Sequence, residues 1–168
     1  MLTKKVCLLG SFGVGKTSLI EQFVFDVFTD TYLTTVGVKI DKKTIKIGGK
    51  DVSLLIWDLA GRENFLSVSD TYLRGMSGYM LVADGTRAYT LDSARGIHAT
   101  VREAFPDVPF NLIINKLDLD NDWEIKAKDF NDFSDAGVDV IRTSAKTAEG
   151  LEEAFLALGK KMTDADNI

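Results

Sequence analysis

Residues 10–17 read Gly-Ser-Phe-Gly-Val-Gly-Lys-Thr, a complete G-x-x-x-x-G-K-T sequence. An apolar run at 6–10 leads into it, and residues 18–24 follow with apolar side chains at helical spacing. In this context the glycines let backbone N–H groups turn inward around phosphates, at the positive end of the following helix. Lys16 would add a positive charge for the β- and γ-phosphates, and the Thr17 hydroxyl is a candidate Mg²⁺ ligand. The pattern predicts a phosphate-binding loop between a strand and a helix.

The rest of the chain alternates between strand-like and helix-like runs. Strands are predicted at 6–10, 38–47, 51–58, 79–83, 110–114 and 138–141, and helices at 18–24, 90–105, 125–133 and 149–162. Gly48-Gly49 is a strong signal for a two-residue hairpin between the second and third strands. This order predicts an α/β fold with a six-stranded, mostly parallel, doubly wound sheet, one antiparallel hairpin strand and helices on both faces. A length of 168 residues fits a single domain over residues 1–168.

Charge and cysteine content exclude several classes of function. The net charge is −5, whereas a nucleic-acid-binding domain usually presents a basic face, so no nucleic-acid partner is expected. Cys7 is the only cysteine and lies in an apolar run, which indicates a buried thiol and a cytoplasmic location. No run reaches the roughly 20 apolar residues that a spanning helix needs. Residues 163–168 contain no cysteine for prenylation, so membrane association is expected only if a lipidated tail is missing from this sequence.

A phosphate-binding loop fits an ATPase, a kinase or a GTPase, and Asn115-Lys116-Leu117-Asp118 favours the last. This motif follows the apolar run 110–114, so it projects from the carboxyl end of a strand. Asp118 can accept hydrogen bonds from N1–H and the exocyclic amine of guanine. Adenine has no donor at N1 and would leave the carboxylate unpaired, a costly mismatch. An ATP-dependent kinase is therefore disfavoured.

Two further motifs also follow predicted strands. In Asp58-Leu59-Ala60-Gly61, the carboxylate can hold a Mg²⁺-bound water and the glycine N–H can reach a γ-phosphate. In Thr143-Ser144-Ala145-Lys146, backbone N–H groups can meet the guanine O6.

Taken together, these motifs resemble those of the Ras superfamily of small GTPases, and most closely its Rab branch. The resemblance runs from Lys5 to the last helix, with five motifs in order and at family spacing. Residues 32–37 resemble switch I, with Thr35 as the threonine that closes on Mg²⁺ and the γ-phosphate. Phe28 matches the aromatic residue that stacks against guanine, and residues 57–65 resemble the Rab switch II run.

The resemblance implies a GTP/GDP switch that uses Mg²⁺ and contacts effector and regulatory proteins through its switch segments. Three apolar positions match those through which Rab proteins contact effectors: Ile40, Trp57 and Tyr72. The implied metal ligands are Thr17, Thr35 and Asp58, and the implied catalytic group is Lys16, Thr35, Gly61 and Arg62. The implied nucleotide contacts are Gly13, Val14, Gly15, Lys16, Thr17, Ser18, Phe28, Thr35, Gly61, Asn115, Lys116, Asp118, Ser144, Ala145 and Lys146.

Two residues depart from the family pattern. Arg62 stands where the family usually has the glutamine that orients the attacking water, and arginine has no acceptor for a hydrogen bond from that water. Phe12 stands where small residues are usual, and its ring is expected to crowd the γ-phosphate and any inserted arginine finger. Slow hydrolysis is therefore expected. Two alternatives remain: a GTP-locked interaction module that scarcely hydrolyses GTP, and Arg62 acting as an internal arginine finger.

Overall fold

A computed structural model of the protein describes residues 2–29, 38–59 and 70–167. Within these ranges six strands form one sheet: β1 (Leu2–Leu9), β2 (Val38–Ile47), β3 (Lys50–Leu59), β4 (Gly78–Asp84), β5 (Phe110–Asn115) and β6 (Val140–Thr143). The strand order is β2-β3-β1-β4-β5-β6. β2 and β3 pair antiparallel, and the other neighbours pair parallel. The predicted α/β class and mostly parallel sheet are confirmed.

Helices cover both faces of this sheet, as predicted. The described helices are α1 (Lys16–Phe25), α2 (Asp70–Leu73), α3 (Tyr89–Ala104), α4 (Asn131–Asp135) and α5 (Leu151–Asp164), with 3-10 turns at Leu117–Asp122, Ala127–Asp129 and Ala165–Asn167. Side chains alternate along β1 because successive strand residues point to opposite faces. Val6 and Leu8 pack in the apolar cluster that holds α1 and α5, whereas Cys7 and Leu9 pack in the cluster that holds α3. Within the described ranges, no helix combines the length and apolar character needed to cross a membrane.

The hairpin was predicted to within one residue. Ile47 pairs with Lys50, which leaves Gly48-Gly49 as the two-residue turn. The first strand is longer than predicted, because Leu2 already pairs with Val52 of β3.

One predicted element was wrong, and another has shifted bounds. The helix expected at 125–133 is a 3-10 turn, Ala127–Asp129, followed by the short helix α4. The break has a local cause: the Asp129 carboxylate accepts the Lys126 N–H at 2.7 Å, and Phe130 has non-helical dihedrals. The strand expected at 138–141 begins only at Val140, because the Val138 N–H donates to the Phe133 carbonyl and closes the end of α4.

Candidate functional site

The predicted motifs meet at one edge of the sheet, where the parallel strands β1, β3, β5 and β6 end. This is the edge at which open α/β sheets bind ligands. Gly13, Val14 and Gly15 lie on the loop after β1, and Lys16, Thr17 and Ser18 form the first turn of α1.

Asn115, at the end of β5, connects the phosphate-binding loop to β6. Its Nδ2 donates to the Val14 carbonyl at 3.0 Å, and its Oδ1 accepts from the Thr143 hydroxyl at 3.1 Å. Gly15 has a positive φ of 101°, and an added Cβ would lie 2.3 Å from the Asn115 Nδ2. Glycine is required here for both its conformation and the space it leaves.

Lys16 is a buried cation held over the loop. Its Nζ donates to the Gly10 carbonyl at 2.9 Å and to the Ser11 carbonyl at 3.3 Å. Burial lowers the pKa of Lys16 to about 8, although the Asp58 charge acts in the opposite direction. An ammonium buried among carbonyl oxygens favours an anionic ligand.

Thr17 and Asp58 form a pair of hard oxygen donors beside Lys16. The Thr17 hydroxyl donates to Oδ2 of Asp58 at 2.5 Å, and Asp58 is almost wholly buried at the end of β3. Hydroxyl and carboxylate oxygens are the donors that Mg²⁺ prefers, so these two residues fit that ion.

The site has two parts. Lys16, Thr17 and Asp58 form the phosphate corner, and Asp118 with Ser144 forms the base corner. The Ser144 hydroxyl donates to the Asp118 Oδ1 at 2.7 Å and accepts the Thr147 N–H at 3.1 Å. Ser144 is fully buried in the loop after β6. That same loop is tied to α1, because Gln22 Nε2 donates to the carbonyl of Ala145 at 2.9 Å and also to that of Lys146 at 3.4 Å. The carboxylate is therefore held in place before any base arrives.

Lys116 lies in the sequence between Asn115, which contacts the phosphate-binding loop, and Asp118. It has a positive φ of 75°, and its Nζ forms an ion pair with Oδ2 of Asp84 at 2.8 Å. Two aromatic residues near the motifs are exposed instead of packed in the core: Phe28 after α1 at 36% and Phe12 on the loop at 55%.

Ile40, Trp57 and Tyr72 lie on neighbouring elements. Ile40 and Trp57 are register partners across β2 and β3, and Trp57 is in turn the register partner of Cys7 on β1. The Cys7 Sγ lies 4.0 Å from the Tyr72 carbonyl on α2. Ile40 and Tyr72 are exposed, and Trp57 is half-buried with the Lys5 Nζ 3.7 Å from its ring centroid.

Three site predictions lie outside the described residues: Thr35, Gly61 and Arg62. The same holds for all of the run 32–37 and for residues 60–65 of the switch II run.

Three residues of this region were not predicted from the sequence: Asp84, Arg87 and Trp123. Asp84 ends β4, is fully buried and pairs with Lys116 and with Arg87. The Trp123 Nε1 donates to the Lys116 carbonyl at 2.8 Å. Asp84 could have been found, because it directly follows the buried residues of β4 at the ligand-binding edge.

Comparison with known proteins gives one consistent result. The family model described as "Ras family" matches residues 5–164. "Ras-related protein Rab-1D" of Dictyostelium discoideum is 35% identical over 93% of this chain and 78% of its own length. Human "Ras-related protein Rab-37" is 38% identical over 96% of the chain and 74% of its own length. "GTP-binding protein ypt2" of Schizosaccharomyces pombe is 33% identical over 97% of the chain and 84% of its own length.

Proposed function

The chain belongs to the Ras family as a Rab-like small GTPase, and on this premise we propose that it is a guanine-nucleotide switch with slow GTP hydrolysis. The observation that carries the proposal is the meeting of two recognition groups at one sheet edge. These are the buried Lys16 beside Thr17 and Asp58, and Asp118 held by the hydroxyl of Ser144. The proposal takes residues 1–168 as one nucleotide-binding domain in the cytoplasm.

The base and the phosphates of the nucleotide are each bound by a different set of residues. The Asp118 carboxylate accepts hydrogen bonds from the two guanine donors, and Phe28 covers the base. The loop after β6, which holds Ser144, Ala145 and Lys146, faces the guanine O6. Lys16 and the backbone of Gly13 to Ser18 hold the phosphates, and Asn115 keeps that loop against β5. This arrangement discriminates against adenine, because that base would cover the Asp118 carboxylate without offering it the hydrogen-bond donors that guanine has.

Mg²⁺ would be held by Thr17 directly, by Asp58 through water and by Thr35 from switch I. When bound, the ion neutralises charge on the β- and γ-phosphate oxygens. Thr35 and Gly61 would each contact the γ-phosphate and so order the two switch segments in the GTP state. Effector proteins would then bind the GTP state at Ile40, Trp57 and Tyr72, of which Ile40 and Tyr72 are exposed.

Slow hydrolysis is proposed from two side chains. Arg62 offers no acceptor to orient the attacking water. Phe12 is more than half exposed, so its ring adds bulk at the surface of the phosphate-binding loop.

Arg62→Gln is expected to accelerate single-turnover GTP hydrolysis by about tenfold or more, because it restores an acceptor for the attacking water. Adding Phe12→Gly should accelerate it further. The measurement is release of labelled phosphate from preloaded protein at saturating Mg²⁺. Arg74→Gln, which changes an exposed arginine beyond α2, is the matched control and should leave the rate unchanged.

The same assay separates the alternatives. If Arg62 is an internal finger, Arg62→Gln and Arg62→Ala will both slow hydrolysis, and a tenfold fall on Arg62→Ala would end the slow-hydrolysis proposal. A GTP-locked module would show no turnover in the wild-type protein over hours. If the nucleotide released on denaturing the purified protein is ATP, the whole proposal is wrong.

A further inference from the structure

Asp84 is a single carboxylate that holds two cations of the site. It is fully buried at the end of β4, where its Oδ2 lies 2.8 Å from the Lys116 Nζ and 2.9 Å from the Arg87 Nε. Its Oδ1 accepts the Thr86 N–H at 2.9 Å and the Thr86 hydroxyl at 2.7 Å. Burial by itself would raise the pKa of Asp84, but the hydrogen bonds from Lys116, Thr86 and Arg87 outweigh it and hold the pKa below its usual value. Asp84 is therefore an anion at neutral pH.

Arg87 extends from this carboxylate to the phosphate-binding loop. While its Nε is bound to Asp84, its Nη2 donates to the Phe12 carbonyl at 3.4 Å and its Nη1 to the Tyr89 hydroxyl at 2.7 Å. The guanidinium carbon also lies 5.4 Å from the centroid of the Tyr89 ring. Because a guanidinium is planar and rigid, bonds to Asp84 and Tyr89 fix the direction in which Nη2 points.

The turn that carries Arg87 is itself attached to the segment after the guanine motif. Gly85 lies against Trp123 so closely that an added Cβ would be 2.1 Å from the indole ring. The Glu124 N–H donates to the Gly85 carbonyl at 2.8 Å, and the Glu124 carboxylate accepts the Ala88 N–H at 2.8 Å. Trp123 in turn holds the Lys116 carbonyl through its indole N–H.

We propose that Arg87 is a positioning residue for the phosphate-binding loop, which it couples to the guanine motif through the carboxylate of Asp84. The inference rests on the proposed nucleotide-binding function and adds a residue to it. Arg87, which contacts the loop, and Lys116 of the guanine motif share one buried anion, so each end of the nucleotide binds to a site that the other end helps to hold. Arginine is needed because its fork reaches Asp84 and Phe12 at once, whereas a lysine has a single ammonium.

The test pairs two measurements on Arg87→Ala and Arg87→Lys. The first is dissociation of methylanthraniloyl-GDP in Mg²⁺, and the second is the Tm of the GDP-bound protein. Arg87→Ala is expected to dissociate about fivefold faster, as loss of one charge-assisted hydrogen bond implies, and to melt at a lower temperature. Arg87→Lys keeps a cation beside Asp84, so its Tm should return close to the wild-type value while its dissociation stays fast. Tyr89→Phe frees one side of the guanidinium and should accelerate dissociation about twofold.

Arg95 provides the matched control. It lies on α3, which begins two residues after Arg87, pairs with the carboxylate of Asp132 and is 33% exposed, compared with 27% for Arg87, but its partners lie at α4 and in the preceding 3-10 turn. Arg95→Ala and Arg95→Lys should leave dissociation at the wild-type rate. The inference is overturned if Arg87→Lys dissociates at the wild-type rate, since Arg87 would then only neutralise Asp84, or if Arg87→Ala behaves like Arg95→Ala. A wild-type protein that fails to bind methylanthraniloyl-GDP would instead overturn the proposed function, and this inference with it.

Discussion

At the base corner of the site a carboxylate is already held by a neighbouring hydroxyl, whereas at the phosphate corner a lysine is buried among carbonyl oxygens. The Asp118 carboxylate accepts a hydrogen bond from the Ser144 hydroxyl, which itself accepts one from the Thr147 N–H. Lys16 has the carbonyls of Gly10 and Ser11, and no carboxylate of the described residues lies within ion-pair distance of it. The first corner is organised by the protein itself, and the second holds a charge that an anion would neutralise.

This difference separates two tasks. A base is recognised by the direction of its donors, so the acceptor must be oriented in advance. Phosphates are recognised by charge, so the protein keeps a buried cation at the loop and the ligand supplies the counter-charge. We therefore expect changes at the base corner to alter which nucleotide binds. Changes at the phosphate corner should alter how strongly any nucleotide binds and how stable the empty protein is.

Asp118→Asn tests the base corner and should have the largest effect. It replaces an acceptor for the guanine donors by an amide that can donate, so affinity for GDP should fall by about a hundredfold or more. Affinity for xanthosine diphosphate should rise, because xanthine has a carbonyl where guanine has its amine. Competition against methylanthraniloyl-GDP measures both.

Ser144→Ala is the control for that exchange. It removes the donor that orients Asp118 but keeps the carboxylate, so GDP affinity should fall by about tenfold or less without any gain for xanthine. If the xanthine nucleotide binds Ser144→Ala and Asp118→Asn equally well, the carboxylate does not select the base.

Chelation of Mg²⁺ and the Thr17→Asn exchange test the phosphate corner, and their effects should be smaller than that of Asp118→Asn. Chelation of Mg²⁺ should speed GDP dissociation from the wild-type protein by about tenfold, equivalent to about 1.4 kcal/mol, and restoring Mg²⁺ should reverse it. Thr17→Asn should dissociate fast with or without chelator, and should lose more affinity for GTP than for GDP because the ion also contacts the γ-phosphate. Equal wild-type affinity in Mg²⁺ and in chelator would refute the metal assignment. The Asp118→Asn protein loaded with its xanthine nucleotide should remain sensitive to chelator, which keeps the two corners distinct.

The fold was predictable because its signals are local. The hairpin depends on two adjacent glycines, and the buried strands β4 and β5 are continuous apolar runs that end where a motif begins. The failures were also local in cause. A single carboxylate, Asp129, closes a 3-10 turn in place of the expected helix at 125–133, and such competition between side chain and backbone is not visible in apolar spacing.

The motif residues of the site could be placed from sequence, but the contacts between them could not. Asp84 lies at the carboxyl end of a strand, as Asp58 does, yet nothing in its neighbourhood in the chain indicates that it pairs with Lys116, 32 residues away. Trp123 reads as an ordinary aromatic residue until the turn at Gly85 is seen against its ring. Contacts of this kind depend on how the β4–α3 turn meets the segment after β5, and only the folded arrangement specifies that.

Lys16 allows the phosphate corner to be tested without any nucleotide. Burial lowers its pKa from 10.5 to about 8, so the empty folded protein carries a charged group that the unfolded chain would carry more favourably. Below pH 8 both states hold the proton, and the folded state bears the full penalty, about 3 kcal/mol. Between about pH 8 and 10.5 the unfolded state holds more protons than the folded state, so stability of the empty protein should rise with pH through this window.

Lys16→Met should therefore stabilise the nucleotide-free protein while abolishing tight nucleotide binding. At pH 7 the gain in unfolding free energy should be about 1 kcal/mol, because relief of the buried charge exceeds the loss of the bonds to Gly10 and Ser11. By pH 9.5 the gain should shrink, since the wild-type lysine has by then lost its proton in the folded state. Urea unfolding after chelation and removal of nucleotide measures both values, with Lys160→Met, an exposed lysine on α5, as the control that should change neither. A Lys16→Met protein less stable than wild type at pH 7, or a gain that does not change with pH, would mean that the phosphate corner is already satisfied without its ligand. The contrast with the base corner would then disappear.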